Sequence, residues 1–269
     1  MQKLTILIFI FISTLSFAQV PNQIGARANG LANSTRLIND VWSVKNNPGA
    51  LGQVSTTGVG IAYQSRFLVN ELANQSFVFN YHLNDKNNLG IFFQQTGFSL
   101  YRQIQTGLAY GMKLSNNLSA GISLNFHRVA FGDVYGAVNA VSASVGLMYS
   151  LNDNLDLGVN VQNINRAKLD DYQDERFPTL FNVGLKYKFN EGTFWSIEAE
   201  KDILQPLNIK SGIEILTHKI FVVRFGMNSY PFLASFGAGI KLNKFQFNIA
   251  SSWHSTLGLS PSMSLNYKF

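Results

Sequence analysis

The chain has no cysteine, which excludes disulfide stapling and attachment to a membrane through an acylated cysteine. Charge is scarce as well. Asp, Glu, Lys and Arg make up 13% of the 269 residues, about half the share usual in a soluble domain. So few charges do not cover a soluble surface of this size. The formal charge of +6 is spread thinly, with no Lys/Arg cluster, and nucleic acid is thereby excluded as a partner. Long apolar runs are also missing beyond the start of the chain, where a bilayer-spanning helix would need roughly 18 apolar residues or more. The single run near the start, LTILIFIFISTL, follows Lys3 and precedes Ser16-Phe17-Ala18. That order predicts a secretory signal peptide over residues 1–18, cleaved before Gln19.

What is abundant is aromatic residues and glycine: 22 Phe, 10 Tyr and 22 Gly. Low charge, many aromatics and no spanning helix leave the closed β-barrel, the other architecture that satisfies every backbone N–H and C=O in lipid. From Thr57 onward, strands are expected at 57–66, 75–83, 88–98, 103–114, 118–130, 138–150, 155–163, 179–189, 194–203, 207–216, 219–227, 232–242, 244–253 and 260–269. Fourteen is an even number, as single-chain bacterial barrels have, and lengths of about 9–11 residues suit tilted strands crossing hydrocarbon. Alternation is clearest late in the chain. Phe181, Val183, Leu185, Tyr187 and Phe189 share one face, against Asn182, Gly184, Lys186 and Lys188. Met263, Leu265, Tyr267 and Phe269 likewise oppose Ser262, Ser264, Asn266 and Lys268. A soluble sandwich would show the same period, but with shorter strands and a more charged outer face.

The connections fall into two alternating sets. NDKN (84–87), SNN (115–117), NDN (152–154), NEGT (190–193), TH (217–218) and NK (243–244) are tight and rich in Asn and Asp. The other set holds 67–74, 131–137, INRAKLDDYQDERFP (164–178), NSYP (228–231) and STLGL (255–259). Tight periplasmic turns and longer external loops are the pattern of an outer-membrane barrel, with both termini in the periplasm. Tyr81, Tyr149, Tyr187, Trp195 and Tyr267 fall at the periplasmic strand ends, and Phe67, Phe131, Tyr230 and Trp253 at the external ends. These are the two expected aromatic girdles.

Fourteen strands enclose more space than eight, whose side chains alone fill the interior. The lumen is then open to water or occupied. Residues 19–56 precede the barrel and are small, polar and rich in Asn, so they are expected to plug or line it from the periplasmic mouth. Pro48 and Gly49 impose a turn, and Gly25 and Gly30 permit close backbone geometry. Arg27 and Asp40 are rare charges in this segment: they form either an internal salt bridge that must break for passage or separate bonds to the wall. Trp42 is expected to wedge against the wall as an apolar anchor.

Inward charges are expected to form a ladder on one wall: Lys186 opposite Glu198, Glu200 opposite Lys210, and Glu214 diagonal to Arg224. Cross-strand pairs of this kind contribute about 0.2–1 kcal/mol each, and their plain role is mutual neutralisation. Gly97, Gly107 and Gly111 mark a candidate thin wall in the third and fourth strands. His82 and His127 point inward from distant strands, so no metal site is expected. His254 beside Ser252 and Ser255 is the only local Ser–His grouping, and nothing orients it; no catalytic residue, cofactor or enzymatic activity is expected. The charged loop 164–178 lacks the acidic spacing of a dedicated calcium loop and reads as solvated. Tyr267 and Phe269 end the chain on aromatics, similar to the C-terminal signal read by the barrel-assembly machinery.

Gly25-Ala26-Arg27, Gly30-Leu31, Asp40 and Asn47-Pro48 before Leu51 resemble the N-terminal signature of the fatty-acid-transporter (FadL-type) superfamily. The likeness is greatest to its Bacteroidota branch, PorV/PorQ, whose members read approximately GAR-x-x-G-M-G, then D, then NPAGL. Here Ala32 stands where Gly is common and Gly49-Ala50 inverts the usual order. The external loops are short. The resemblance implies that residues 19–56 are a hatch inside the barrel. It also implies a non-enzymatic accessory of protein export or surface display of the type IX kind, with a protein partner in an outer-membrane or secretion complex. The alternatives are passive transport of a small hydrophobic molecule through a plugged lumen or lateral opening, and a structural subunit of another outer-membrane assembly. Outer-membrane lipid surrounds the barrel in each case.

Overall fold

A computed structural model describes residues 23–132, 136–169 and 175–269. The expected leader over 1–18 and the loop acids Asp170, Asp171 and Asp174 lie outside the described residues. Alternation from Thr57 onward becomes fourteen strands among the described residues. They are β1 (Gly58–Ser65), β2 (Ala73–Asn84), β3 (Asn87–Gly97), β4 (Tyr101–Lys113), β5 (Leu118–Phe131), β6 (Ala137–Ser150) and β7 (Leu155–Gln162). The second half holds β8 (Leu180–Asn190), β9 (Thr193–Asp202), β10 (Asn208–Leu216), β11 (Phe221–Ser229), β12 (Phe232–Lys241), β13 (Phe245–His254) and β14 (Gly258–Lys268). Each pairs antiparallel with its sequence neighbours, and β1 pairs with β14 from Gly58↔Lys268 to Gln64↔Ser262. The sheet closes into a barrel with no free edge, and β1 begins and β14 ends at one rim, here the near rim.

The polarity of this barrel is the reverse of a soluble domain's. On β8, Val183 is 58% exposed and Asn182 beside it 1%. Leu108, Leu124, Phe225, Ile249 and Met263 are likewise exposed on other strands, while Asn125, Ser196, Asn248 and Ser264 are buried. An apolar outer band around a polar interior is stable only when the surroundings are themselves apolar.

Two expectations about the connections change. The β11–β12 connection is only Tyr230-Pro231, because Asn228 and Ser229 belong to β11. It is as tight as the near-rim turns, so the two rims differ in loop length less than the sequence suggested. The loop after β7 is also not simply solvated. Its ends tuck into the far mouth, where Ala167 and Phe177 pack on Val129 and the Phe177 ring lies 4.4 Å from that of His127. The thin wall expected at Gly97, Gly107 and Gly111 is fully paired, from Asn87↔Met112 to Gly97↔Arg102. The space beside Gly107 is taken by the Phe92 ring.

Residues before β1 cross the lumen as three short helical turns, α1 (Ala26–Gly30), α2 (Ser43–Asn46) and α3 (Pro48–Leu51). α1 lies against β11 to β14 and β1, α2 against β2 to β4, and α3 against β4 to β6. The segment thus touches opposite sides of the wall. Its apolar side chains find the few inward apolar ones. Ile24, Val41, Trp42, Val44, Leu51 and Val54 cluster with Val78, Phe92 and Ala109. Leu31 and Ile38 meet Phe194, and Leu37 and Ala50 meet Met148. The Val, Leu, Ile, Phe and Met side chains among them contribute about 1.5–3 kcal/mol each on burial.

Candidate functional site

The candidate site is the interface between this segment and the inner wall. Its steric basis is glycine. A Cβ on Gly121 would lie 2.0 Å from the Pro48 carbonyl oxygen, and one on Gly146 would lie 2.0 Å from Asn47 Oδ1. Gly121 pairs with Gly111 on one side and Gly146 on the other. Three adjacent strands therefore present bare backbone where α3 docks. Asn47 holds that turn: its Oδ1 accepts from the Gly49 N–H at 2.9 Å and its Nδ2 donates to the Arg36 carbonyl at 2.7 Å. Pro48 opens α3, where a missing N–H costs nothing. Ser119 Oγ of β5 then donates to the Gly49 carbonyl at 2.8 Å. Recurrent inward glycine is the sequence signal for this seat, and reading Gly107 and Gly111 as a thin wall overlooks it.

At the start of the segment Gly25 has φ +99°, and a Cβ there would meet the Trp42 ring at 2.9 Å. Any other residue would be strained and would clash. Trp42 is buried and packs against Gly60 of β1. Gly30 sits within van der Waals reach of Ala250 and Gly237 on β13 and β12.

The electrostatic part centres on three groups of charges. In the first, the Arg27 guanidinium donates to both Glu214 oxygens, each at 2.8 Å, and to Asp40 Oδ2 at 2.9 Å. The internal bridge and the bond to the wall thus coexist. Glu214 also accepts from Arg224 Nε at 2.7 Å and Lys241 Nζ at 3.0 Å. Asp40 Oδ1 accepts from the Trp42 N–H at 3.0 Å. In the second group, the Arg36 backbone N–H donates to Glu198 Oε1 at 2.5 Å, and its guanidinium lies 3.6 Å from Glu200. Lys210 pairs with Glu200 at 2.7 Å. In the third, Lys186 donates to the Leu37 carbonyl at 2.5 Å and pairs with Asp156 at 2.7 Å. Lys188 also reaches Asp156, at 3.1 Å.

The ladder differs in register from its expectation. Lys186 faces Ser196, and Glu198 faces Gly184, so the β8–β9 pairing lies two residues from the expected register, with a bulge between Lys188 and Asn190 beside the turn. Glu198, not Glu200, is directly opposite Lys210, so the Lys210–Glu200 ion pair is diagonal. Glu214 and Arg224 are directly opposite, not diagonal. The larger difference is chemical. These charges do not only neutralise one another along the wall, because Lys186, Glu198 and Glu214 each bond the segment. Arg36, Asp156 and Lys241 belong to the network and were not singled out from the sequence.

One ammonium in the segment is displaced in acidity. Lys45 of α2 is buried, its Nζ 5.2 Å from the centre of the Phe92 ring. Burial, and then the nearby Arg36 charge, push its pKa down from 10.5 to about 7. No group of His, Asp, Glu or Cys suited to a metal occurs among the described residues. The Ser–His grouping is not assembled for catalysis: the His254 ring accepts from the Thr256 and Leu257 N–H groups of its own turn. Tyr267 and Phe269 stack edge-on at 5.0 Å at the near rim.

No family model matches the chain, and no curated protein matches it. Solved structures do. A FadL homologue of Pseudomonas aeruginosa superposes with a TM-score of 0.69 at 12% identity, covering 93% of this chain and 99% of that one. The toluene transporter TodX of P. putida gives 0.65 at 11% identity, covering 92% and 99%. A deltaS2S3 mutant of TodX, described as a monoaromatic hydrocarbon channel, gives 0.64 at 12% identity, covering 91% and 98%. At such identities the likeness is one of fold: an all-β, closed, fourteen-stranded antiparallel barrel.

Proposed function

We propose that the protein is a non-enzymatic outer-membrane barrel that passes small hydrophobic molecules, with residues 19–56 as its plug. The observation that carries this reading is how the luminal segment is held. It rests on bare glycine backbone and is tied to the wall through exchangeable polar contacts, Arg27–Glu214, Arg36–Glu198 and Lys186–Leu37. The apolar contacts between segment and wall are divided among three separate clusters, and the polar ties between them can be exchanged for water as the segment shifts. The fold of a toluene transporter supports the same choice. The near rim, where β1 begins and β14 ends, is the periplasmic one in this reading.

Uptake decides it. A host lacking its own hydrophobic-solute channels, expressing this barrel, should accumulate labelled toluene or a long-chain fatty acid faster than the same host with an empty vector. Unchanged uptake with the barrel correctly inserted would end the transport reading. A second reading, a PorV/PorQ-like accessory of protein export, rests on the Gly25–Leu51 motif. It requires a translocon or secreted cargo to copurify in stoichiometric amount from the native membrane, and an isolated barrel would end it. A structural subunit of another assembly would copurify with that assembly instead.

A further inference from the structure

The outer wall carries a concave site that the luminal account does not use. A groove of about 630 Å3 lies across β11 to β14 and the end of β1, within the roughly 300–1,000 Å3 typical of small-molecule sites. Its sides are Tyr63, Phe225, Phe236, Phe247, Ile249 and Met263. These side chains alternate outward with the rest of the apolar band. The floor is low because Gly237, Ala238 and Ala250 are small. α1 backs the same floor from inside, with Gly30 against Gly237 and Ala250.

One end of the groove carries two serines. Ser65, Ser251 and Pro261 line it toward the far rim. β1–β14 pairing stops at Gln64↔Ser262, just short of Ser65 and Pro261, and Pro261 offers no N–H to extend it. Ser251 is 8% exposed, and its Oγ is buried without a hydrogen-bond partner among the described residues. Alternation with Phe247 and Ile249 turns that hydroxyl to the outer face, under Phe236 and Pro261, its cross-strand neighbours. A hydroxyl left unpaired beneath Phe236 and Pro261 is costly, and water does not reach it there. Ser251 lies three residues from the far end of β13, on the order of 10 Å along the strand. That is a suitable depth for the ester carbonyl of a membrane lipid, with its chain running down toward Phe247.

We propose that this groove binds one acyl chain of a membrane diacyl lipid, whose ester carbonyl accepts a hydrogen bond from Ser251 Oγ. The site is on the outside, so it stands or falls apart from luminal transport. The test is native mass spectrometry of the full barrel in mild detergent with added diacyl phosphatidylethanolamine. One lipid per barrel should survive activation. Ala238→Trp, which fills the groove, should lose it, while Leu124→Trp on the opposite outer face should keep it. Ser251→Ala should release the lipid at lower collision energy. Heat-modifiable migration in gels checks that each barrel is folded. Equal retention by Ala238→Trp, no retention by the unmodified barrel, preferential retention of detergent or free fatty acid, or unchanged release from Ser251→Ala would each overturn the assignment.

Discussion

Replacing Gly121 by Ala should open the lumen. The added Cβ would lie 2.0 Å from the Pro48 oxygen and 2.3 Å from its carbonyl carbon, both backbone atoms. The wall has little room to yield, since Gly121 is registered between Gly111 on β4 and Gly146 on β6. The segment must therefore move. Overpacking of this kind costs about 1–3 kcal/mol. Taken as about 2 kcal/mol, it lowers the ratio of docked to undocked segment roughly 30-fold. Gly184→Ala is the milder comparison, because its Cβ would meet the Glu198 and Leu37 side chains at 3.0 and 3.2 Å and the Ile197 carbonyl oxygen at an ordinary 3.4 Å. In planar bilayers Gly121→Ala should show frequent open steps, and its segment should be cut by protease while the barrel stays heat-modifiable. Gly184→Ala should behave as the unmodified protein. Equal conductance and protection in all three would refute the claim that α3 is seated on wall glycine.

Charge variants should follow the wiring of Glu214. Arg27→Ala leaves Glu214 with Arg224 and Lys241 at 2.7 and 3.0 Å, so its effect should fall below the about 3–5 kcal/mol lost when a buried pair is broken. Glu214→Ala strands Arg224 and Lys241 and leaves Arg27 with Asp40 alone, so it should leak more, and the double variant should leak no more than Glu214→Ala alone. Acidity should act through Lys45, whose pKa is about 7 when docked against 10.5 ordinarily. Above both values docking carries no penalty from this group; the advantage is lost as pH falls from about 10 toward 7, and it is level below that. Conductance should rise over that window, and Lys45→Met should flatten the rise.

Much of the barrel was legible because period-two alternation survives wherever one face meets lipid and the other a polar lumen. Phe181 to Phe189 and Met263 to Phe269 carry it without interruption. The β8–β9 register was not legible: Lys186 pairs with Ser196, two residues from Glu198, and an even slip changes partners without changing which face a residue occupies. The seat of the segment was hidden for another reason. Gly121, Gly146 and Gly237 are individually ordinary barrel residues, and only closure brings them to Pro48, Asn47 and Gly30. Burial of Ala167 and Phe177 in the far mouth was masked by the charges of the loop that joins them.

The most direct test of the plug is a crosslink, which the absence of native cysteine makes clean. Ser34 Oγ and Ser196 Oγ lie 3.0 Å apart between segment and wall, so Ser34→Cys with Ser196→Cys should form a disulfide on oxidation. Uptake of a labelled hydrophobic solute would then be measured before and after adding a reductant. The account predicts that the oxidised barrel is closed and that reduction restores uptake. Full uptake through a fully crosslinked barrel would contradict it.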